Sequence, residues 1–397
     1  MVTVSEAEKI ISGTIKSYGT ALVPLADALG YVLAEDLYAD RDLPPYNRVT
    51  MDGIAISFEG FEKGIREFKI KGIQAAGDLP MEIDAPNECV EIMTGAALPE
   101  STDTVIRYED LQISNGIASV FADMVNRGQS IHRQGSDSLK NKLVLKAGAV
   151  IDPVVINMAA ATGRSSLPVK KLPRTLIVSS GDELVEIDEV PNPYQIRRSN
   201  NYTIQAALRK FRIEAEMIHL PDDVSIIETE LKNAIEGYEL IILSGGVSMG
   251  KFDHIPAVLN KLSVTNLFHK VKQRPGKPFW FGTYKNKCTL FALPGNPVSG
   301  FMCLHRYIIP WLKKCLAINN QEELFAALAE DMEFKPELQY FAQVKLSFDS
   351  RAQLMAVPVK DNGSGDFVHL INANAFIELP LEQSNFSKGE IYRVWKF

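Results

Sequence analysis

Residues 240–254, LIILSGGVSMGKFDH, decide how this chain is read. An apolar run stops at Ser244 and is followed at once by Gly245 and Gly246, with Gly250 a few residues on. Glycines there permit backbone conformations and a close approach to a ligand that a side chain would block. The same grammar recurs on both sides, in TLIVSSGDEL (175–184) and TLFALPGNPVSG (289–300). Between these runs NNYTIQAALRKF (200–211) and SIIETELKNAIEGY (225–238) read as helices, and AEMIHL (215–220) as a strand. Strand, turn and helix in repetition predict parallel strands with crossover helices, a central three-layer α/β domain with a mostly parallel sheet over residues 173–320.

The flanks are written differently. At the N-terminus Ser5-Glu6-Ala7-Glu8 reads as a capping box ahead of Ile10, Ile11 and Ile15, and a second short helix is expected over 23–30, ending at Gly30. Residues 1–172 should supply linking helices and strands together with an inserted β-rich domain at about 45–140. Its alternating runs are FKIKGI (68–73), ECVEIMTG (88–95), TVIRYEDL (104–111) and IASVFADM (117–124). Alternation returns in YFAQVKLSF (340–348), QLMAVPV (353–359), FVHLINANAFIELP (367–380) and IYRVWKF (391–397), so residues 321–397 should form a small C-terminal β-barrel or meander. The fold class expected is multidomain α/β plus β.

Composition narrows the function. With 46% hydrophobic and 23% charged residues in 397, the chain is that of a globular protein with room for several cores. Lys and Arg number 42 against 49 Asp and Glu, a balance that repels nucleic acid. The first residues lack the basic flank and apolar core of a signal peptide, and no apolar run is long enough to span a bilayer, so a cytoplasmic location without membrane contact is expected. Cys89, Cys288, Cys303 and Cys315 form no CxxC pair, which leaves a hard, oxygen-bound cation as the only metal class to expect.

Against that acidic background HKVKQRPGKP (269–278) stands out. In a β conformation Lys270, Lys272 and Arg274 fall on one face as a cationic ridge that Pro275-Gly276 ends, with Lys277 beyond. The same spacing also suits a solvated edge strand that resists aggregation. The three glycine turns should line one crevice at the carboxyl ends of parallel strands, where exposed N–H groups favour anions. In the third turn Asn296 suits an N-cap and Pro297 the first helical position. Carboxylates gather in the same turns, at Asp182-Glu183, Asp222-Asp223 and Asp253, as a magnesium ion beside phosphates requires. Helix capping accounts for them equally well, Asp253 ahead of HIPAVLNKL being a candidate N-cap. Three further polar loops are rigidly written: DLPPYNRVTMDGIAI (42–56) with Arg48 and Asp52, MTGAALP (93–99) with Thr94, and GQSIHRQGSDS (128–138) with Arg133 and Asp137.

In order and spacing MDGIA, MTGA, RQGSD, SGDEL, SGGVSMGKFDH, RPGKPFWFG and LPGNPVSG resemble the molybdopterin molybdotransferase family, also called MoeA, to which the C-terminal part of gephyrin is similar. The resemblance covers almost the whole chain. It implies a transferase that inserts molybdate into adenylylated molybdopterin with a divalent cation, Mg²⁺, releasing AMP and forming molybdenum cofactor. It implies that Lys270, Arg274 and Lys277 hold phosphate and molybdate, and that Glu183, Asp222 and Asp253 are the acidic, metal-holding positions of the crevice. Ser180, Gly181, Ser244, Gly245, Gly246, Ser248, Gly250, Pro294, Gly295 and Asn296 would line the substrate. Asp52 looks like a loop carboxylate of the active cleft, Thr94 and Asp137 like its neighbours, and Ser364 in NGSGD like a polar contribution of the terminal domain. A homodimer bringing N-terminal loops to the partner's crevice is implied too, as are encounters with a molybdopterin adenylyltransferase and with molybdoenzymes. The chain departs from the family pattern at Val49 and Ile54, which lack the usual hydroxyls, at Ser180 in place of threonine, and at Arg274 in place of lysine. Two other functions share this architecture: a gephyrin-like scaffold or cofactor carrier without turnover, and a molybdopterin adenylyltransferase that consumes ATP.

Overall fold

The computed structural model describes residues 1–247, 253–319, 323–360 and 363–397. They form two compact units, one of residues 35–147 with 154–165, the other of 1–34, 148–153 and 166–397.

The larger unit is built on a six-stranded sheet. Its strands are β1 (Thr175–Ser180), β2 (Glu216–Leu220), β3 (Leu240–Ser244), β4 (Thr265–His269), β5 (Trp280–Tyr284) and β6 (Cys288–Leu293), in the order β2-β1-β3-β6-β5-β4. The first four in that order are parallel, and β5 and β4 continue the sheet antiparallel, so the sheet is mixed with its parallel half where the glycine turns are. Side chains of β1 and β3 alternate between two cores, as strand pleating dictates. Leu176, Val178, Ile241 and Leu243 pack under α2 (Val224–Gly237) and α3 (Ile255–Lys261). Ile177, Leu240 and Ile242 pack on the other face against α1 (Ser199–Arg209) and α4 (Pro297–Cys303). Helices on both faces complete the three layers. Register matters more for function: Ser179 pairs with Ser244, and Ser244 with Leu293, so β1, β3 and β6 end side by side. Past α4 the helical path widens into a π turn at Leu304–Ile308 before Ile309–Cys315; Pro310, having no N–H, cannot give Arg306 the usual helical bond.

The terminal region of this unit closes into a five-stranded barrel. Gln339–Phe348, Leu354–Pro358, Leu324–Leu328, Ile391–Lys396 and Ala375–Leu379 pair in turn and return to Gln339–Phe348, leaving no open edge among them. Leu328, Val344, Ala356, Ile377 and Phe386 fill it.

One guanidinium joins three distant segments of the larger unit. Arg306, 3% exposed, lies 2.8 Å from Glu8 and 3.3 Å from Glu378, with its plane 4.2 Å over the Trp395 ring. This overturns the expected capping box. Thr3 caps the first helix, Val4–Ser12, with Glu6 reciprocating at 2.7 Å, and Glu8 is committed to Arg306. The expected helix over 23–30 is also absent. Thr20–Pro24 is a strand paired with Ser166–Lys170, followed by one 3₁₀ turn, Leu25–Asp27.

The smaller unit carries its own sheet, in the order Thr104–Arg107, Gly53–Ile56, Glu88–Ile92, Glu67–Gln74, Ile117–Val120, Leu111–Ser114. Ile54, Ile56, Phe68, Cys89 and Ile106 are its fully buried centre. Among the described residues no helix is long and apolar enough to cross a membrane.

Candidate functional site

The aligned ends of β1, β3 and β6 open into a cleft of about 390 Å³. Ser180, Ser244, Gly245, Gly246, Pro294 and Gly295 line it from the three turns. Gly245 and Gly246 both have positive φ, 93° and 68°, and a Cβ at Gly245 would stand 2.8 Å from the Ser180 carbonyl oxygen. A side chain there would occlude the turn and strain it, so glycine leaves this wall of the cleft to the backbone. The Gly245 N–H itself reaches back to the Leu293 carbonyl at 3.1 Å, locking turn to sheet.

Helix α1 begins at the same place. Asn200 in its first turn donates from Nδ2 to Ser244 Oγ (2.9 Å) and to the Gly295 carbonyl (2.8 Å), clamping two glycine turns together. Arg197 and Arg198 also line the cleft, Arg198 being ion-paired with Glu186. A helix N-terminus and the two guanidinium groups give one side of this pocket a positive lining. Two carboxylates face them, Glu183 and Asp253. Asp222 stands apart from the lining. It accepts from Ser180 Oγ at 3.3 Å, and its N–H donates to Asp182 at 3.0 Å. The Glu183 carboxylate lies against Gly181. Asp253 is not the N-cap of α3, a position held by His254. Behind the cleft His219 Nδ1 sits 3.1 Å from Ser179 Oγ, and burial, with Arg198 nearby, pushes its pKa down.

A second cavity of about 220 Å³ adjoins the first, sharing Pro278, Pro294 and Asn296. Arg274, Lys277 and Ser364 line it. Its cations are carried on a turn fixed from below by Gln273, a residue with no solvent exposure. Gln273 Nε2 donates to the Gly276 carbonyl (3.0 Å), and its Oε1 accepts from the Tyr307 hydroxyl. Gly276 has φ 85°, and a Cβ there would press to 2.6 Å from Cys303 Sγ. The ridge differs from its expected geometry. Lys272 and Arg274 are exposed between buried Val271 and Gln273, but Lys270 has φ 73°, which ends the extended backbone at His269. Lys270 therefore falls out of the two-residue period and lines neither cavity. Asn296 is the N-cap of α4 with Pro297 at N1, as read, but its side chain is turned elsewhere: Nδ2 donates to Ser364 Oγ at 3.0 Å.

In the smaller unit the three polar loops are laced together. Arg48–Val49 pairs with Ile131–His132, and the Val49 carbonyl accepts from the Gly95 N–H. The Thr94 N–H donates to Asp52 at 2.6 Å, holding that exposed carboxyl below its usual range. His132 bridges Arg48 (3.0 Å, Nδ1) and Asp137 (2.8 Å, Nε2). Since arginine only donates, Nδ1 accepts and Nε2–H faces the carboxylate.

The structure thus gathers Ser180, Glu183, Ser244, Gly245, Gly246, Asp253, Pro294, Gly295 and Asn296 in one cleft, and Arg274, Lys277 and Ser364 in the next. Asp52, Thr94 and Asp137 cluster within the smaller unit. Ser248 and Gly250 lie outside the described residues. Among those described, no three His, Cys, Asp or Glu side chains converge as a ready metal cage. Two carboxylates in one cleft nevertheless suit magnesium, which takes one or two from protein and the rest from phosphate and water. Sequence reasoning missed Arg197, Arg198, Asn200 and Asn201. Their signal was present in IRRSN, a pair of arginines immediately before a helix start.

Comparison with known proteins follows the same lines. Three family models match in chain order: the MoeA N-terminal region (domain I and II) over residues 2–163, a probable molybdopterin binding domain over 176–314, and the MoeA C-terminal region (domain IV) over 326–397. A molybdopterin molybdenumtransferase of Synechocystis sp. is 37% identical over 395 residues, 99% of each chain. One from Haemophilus influenzae is 30% identical over 384 residues, 95% of this chain and 94% of that one. The crystal structure of a molybdopterin biosynthesis MoeA protein from Pyrococcus horikoshii superposes with a TM-score of 0.84 at 27% identity, covering 100% of both chains.

Proposed function

The chain belongs to the MoeA family of molybdopterin molybdenumtransferases, and from that premise we propose that it inserts molybdate into adenylylated molybdopterin, releasing AMP and leaving molybdenum cofactor. The observation that carries this reading is the adjacency of two cavities that each carry basic side chains. One has the glycine turns, Arg197, Arg198 and the two carboxylates Glu183 and Asp253; the other has Arg274, Lys277 and Ser364; Asn296 and Pro294 are common walls. A nucleotide-linked substrate and a small oxyanion need two such anion sites side by side.

The residues act by position and charge. The Gly246 N–H and the start of α1 hold phosphate oxygens, while Asn200 keeps the two turns at a fixed separation. Arg274 and Lys277 hold the second anion in place, so that charge developing on the departing AMP is met by groups already oriented. Glu183 and Asp253 would hold Mg²⁺, which when bound neutralises pyrophosphate charge. Asp222 supports Ser180 through its hydrogen bond. No protein nucleophile is required. Asp52, Thr94 and Asp137 are assigned as a second polar cluster, and Lys270 as a more remote cation. A homodimer, a cytoplasmic location and hand-over to molybdoenzymes complete the reading.

The test is to combine chain, adenylylated molybdopterin, molybdate and magnesium and to follow AMP. Molybdate-dependent AMP release that is lost with a chelator and with Asp253→Ala supports the proposal. ATP consumption without molybdate dependence, or an absence of turnover, overturns it.

A further inference from the structure

Asn201 is a cleft residue whose chemistry the transfer reaction leaves unused. It follows Asn200 in the first turn of α1, and lies on the same helical face as Ile204 and Leu208, three and seven residues on. That face packs into the core, and Asn201 is 1% exposed. Yet it is polar, it lines the 390 Å³ cleft, and neither its Nδ2 nor its Oδ1 finds a hydrogen-bond partner among the described residues. A buried carboxamide without partners destabilises a fold, and a leucine of similar size would serve the core better. The groups around it are already committed: Asn200 to Ser244 and Gly295, Arg198 to Glu186.

We propose that Asn201 reads the amide-like edge of a fused nitrogen heterocycle on the bound substrate and so selects which ring system the cleft accepts. A carboxamide presents an acceptor and a donor side by side, and only a partner offering the complementary pair satisfies both. Phosphate or molybdate supplies acceptors alone and would leave Oδ1 unpaired, which rules out a simple oxyanion as its partner. An adenine edge and a pterin edge each present adjacent donor and acceptor positions, and asparagine is well suited to such bidentate pairing. The inference rests on the proposed transferase reading, because that substrate carries both rings. Asn201 is then a specificity-determining residue, distinct from the cations and amides that hold charge.

The experiment compares wild type, Asn201→Leu and, should leucine not be accommodated, Asn201→Ala. Each is titrated calorimetrically with AMP and, separately, with molybdopterin, alongside a thermal melt. Asn201→Leu should melt at or above the wild-type temperature while losing affinity about 10- to 100-fold for one of the two probes. Loss confined to AMP assigns the adenine edge; loss confined to molybdopterin assigns the pterin edge. Unchanged affinity for both probes, with wild-type binding intact, overturns the inference and makes Asn201 a tolerated buried amide. Wild-type chain that binds neither probe overturns the transferase reading and this inference with it.

Discussion

Replacing Tyr307 by phenylalanine deletes one oxygen from a place closed to solvent. Tyr307 is 2% exposed, and Gln273, whose Oε1 accepts its hydroxyl, is not exposed at all. No water can take over, so the glutamine oxygen is left buried without its donor, a loss of roughly 1–3 kcal/mol. In a domain this large the melting temperature should fall by about 2–4 °C for each kcal/mol. The functional effect travels one bond further. Gln273 Nε2 holds the Gly276 carbonyl at 3.0 Å, and with it the turn bearing Arg274 and Lys277. A glutamine free to rotate releases that turn, so KM for the adenylylated pterin should rise several-fold while kcat changes little. A double variant separates the two effects. With Gln273→Leu added, the glutamine oxygen is gone but the Gly276 carbonyl is left without its donor, so stability should recover only in part. The Gly276 carbonyl has still lost its donor, so KM should stay high. Tyr307→Phe that melts early but keeps wild-type KM would show that the turn is not held through this bond, and the positioning argument would fall.

Two further outcomes follow from the same geometry. Arg274→Gln and Lys277→Gln should each raise KM several-fold in dilute buffer, and the difference from wild type should shrink towards 0.5 M salt because both groups are exposed; a salt-independent difference would remove them from anion binding. His219 has a pKa depressed in the folded chain, by burial and then by Arg198. The unfolded chain therefore takes up a proton first, and stability present above about pH 6.5 is lost as pH falls from there through the folded value. His219→Gln should flatten that part of the stability profile measured by denaturant titration, and an unchanged slope would assign the acid sensitivity to carboxylates.

How much of this was legible beforehand differs from element to element, for physical reasons. The parallel half of the sheet was plain because β1, β3 and β6 are buried on both faces and each breaks at a glycine turn, with positive φ at Gly181, Gly245 and Gly246. Leu324–Leu328 was not anticipated as a strand. LFAAL has the composition of a helix, and only closure of the barrel makes it extended, a tertiary decision with no local trace. Thr3 and Ser5 both stand three residues before a glutamate, and the choice between them is made by Arg306, some 300 residues away. Lys270 looked regular in spacing, but its positive φ takes it out of the strand period. The clamp of Asn200 was invisible because its two partners lie 44 and 95 residues downstream.

Arg306 also bears on how the molecule comes to exist. Glu8 and Glu378 are far apart along the chain, so this guanidinium has both countercharges only once distant segments have come together. A chain without the Glu378 carboxylate must bury that cation half-compensated, at a cost of about 3–5 kcal/mol.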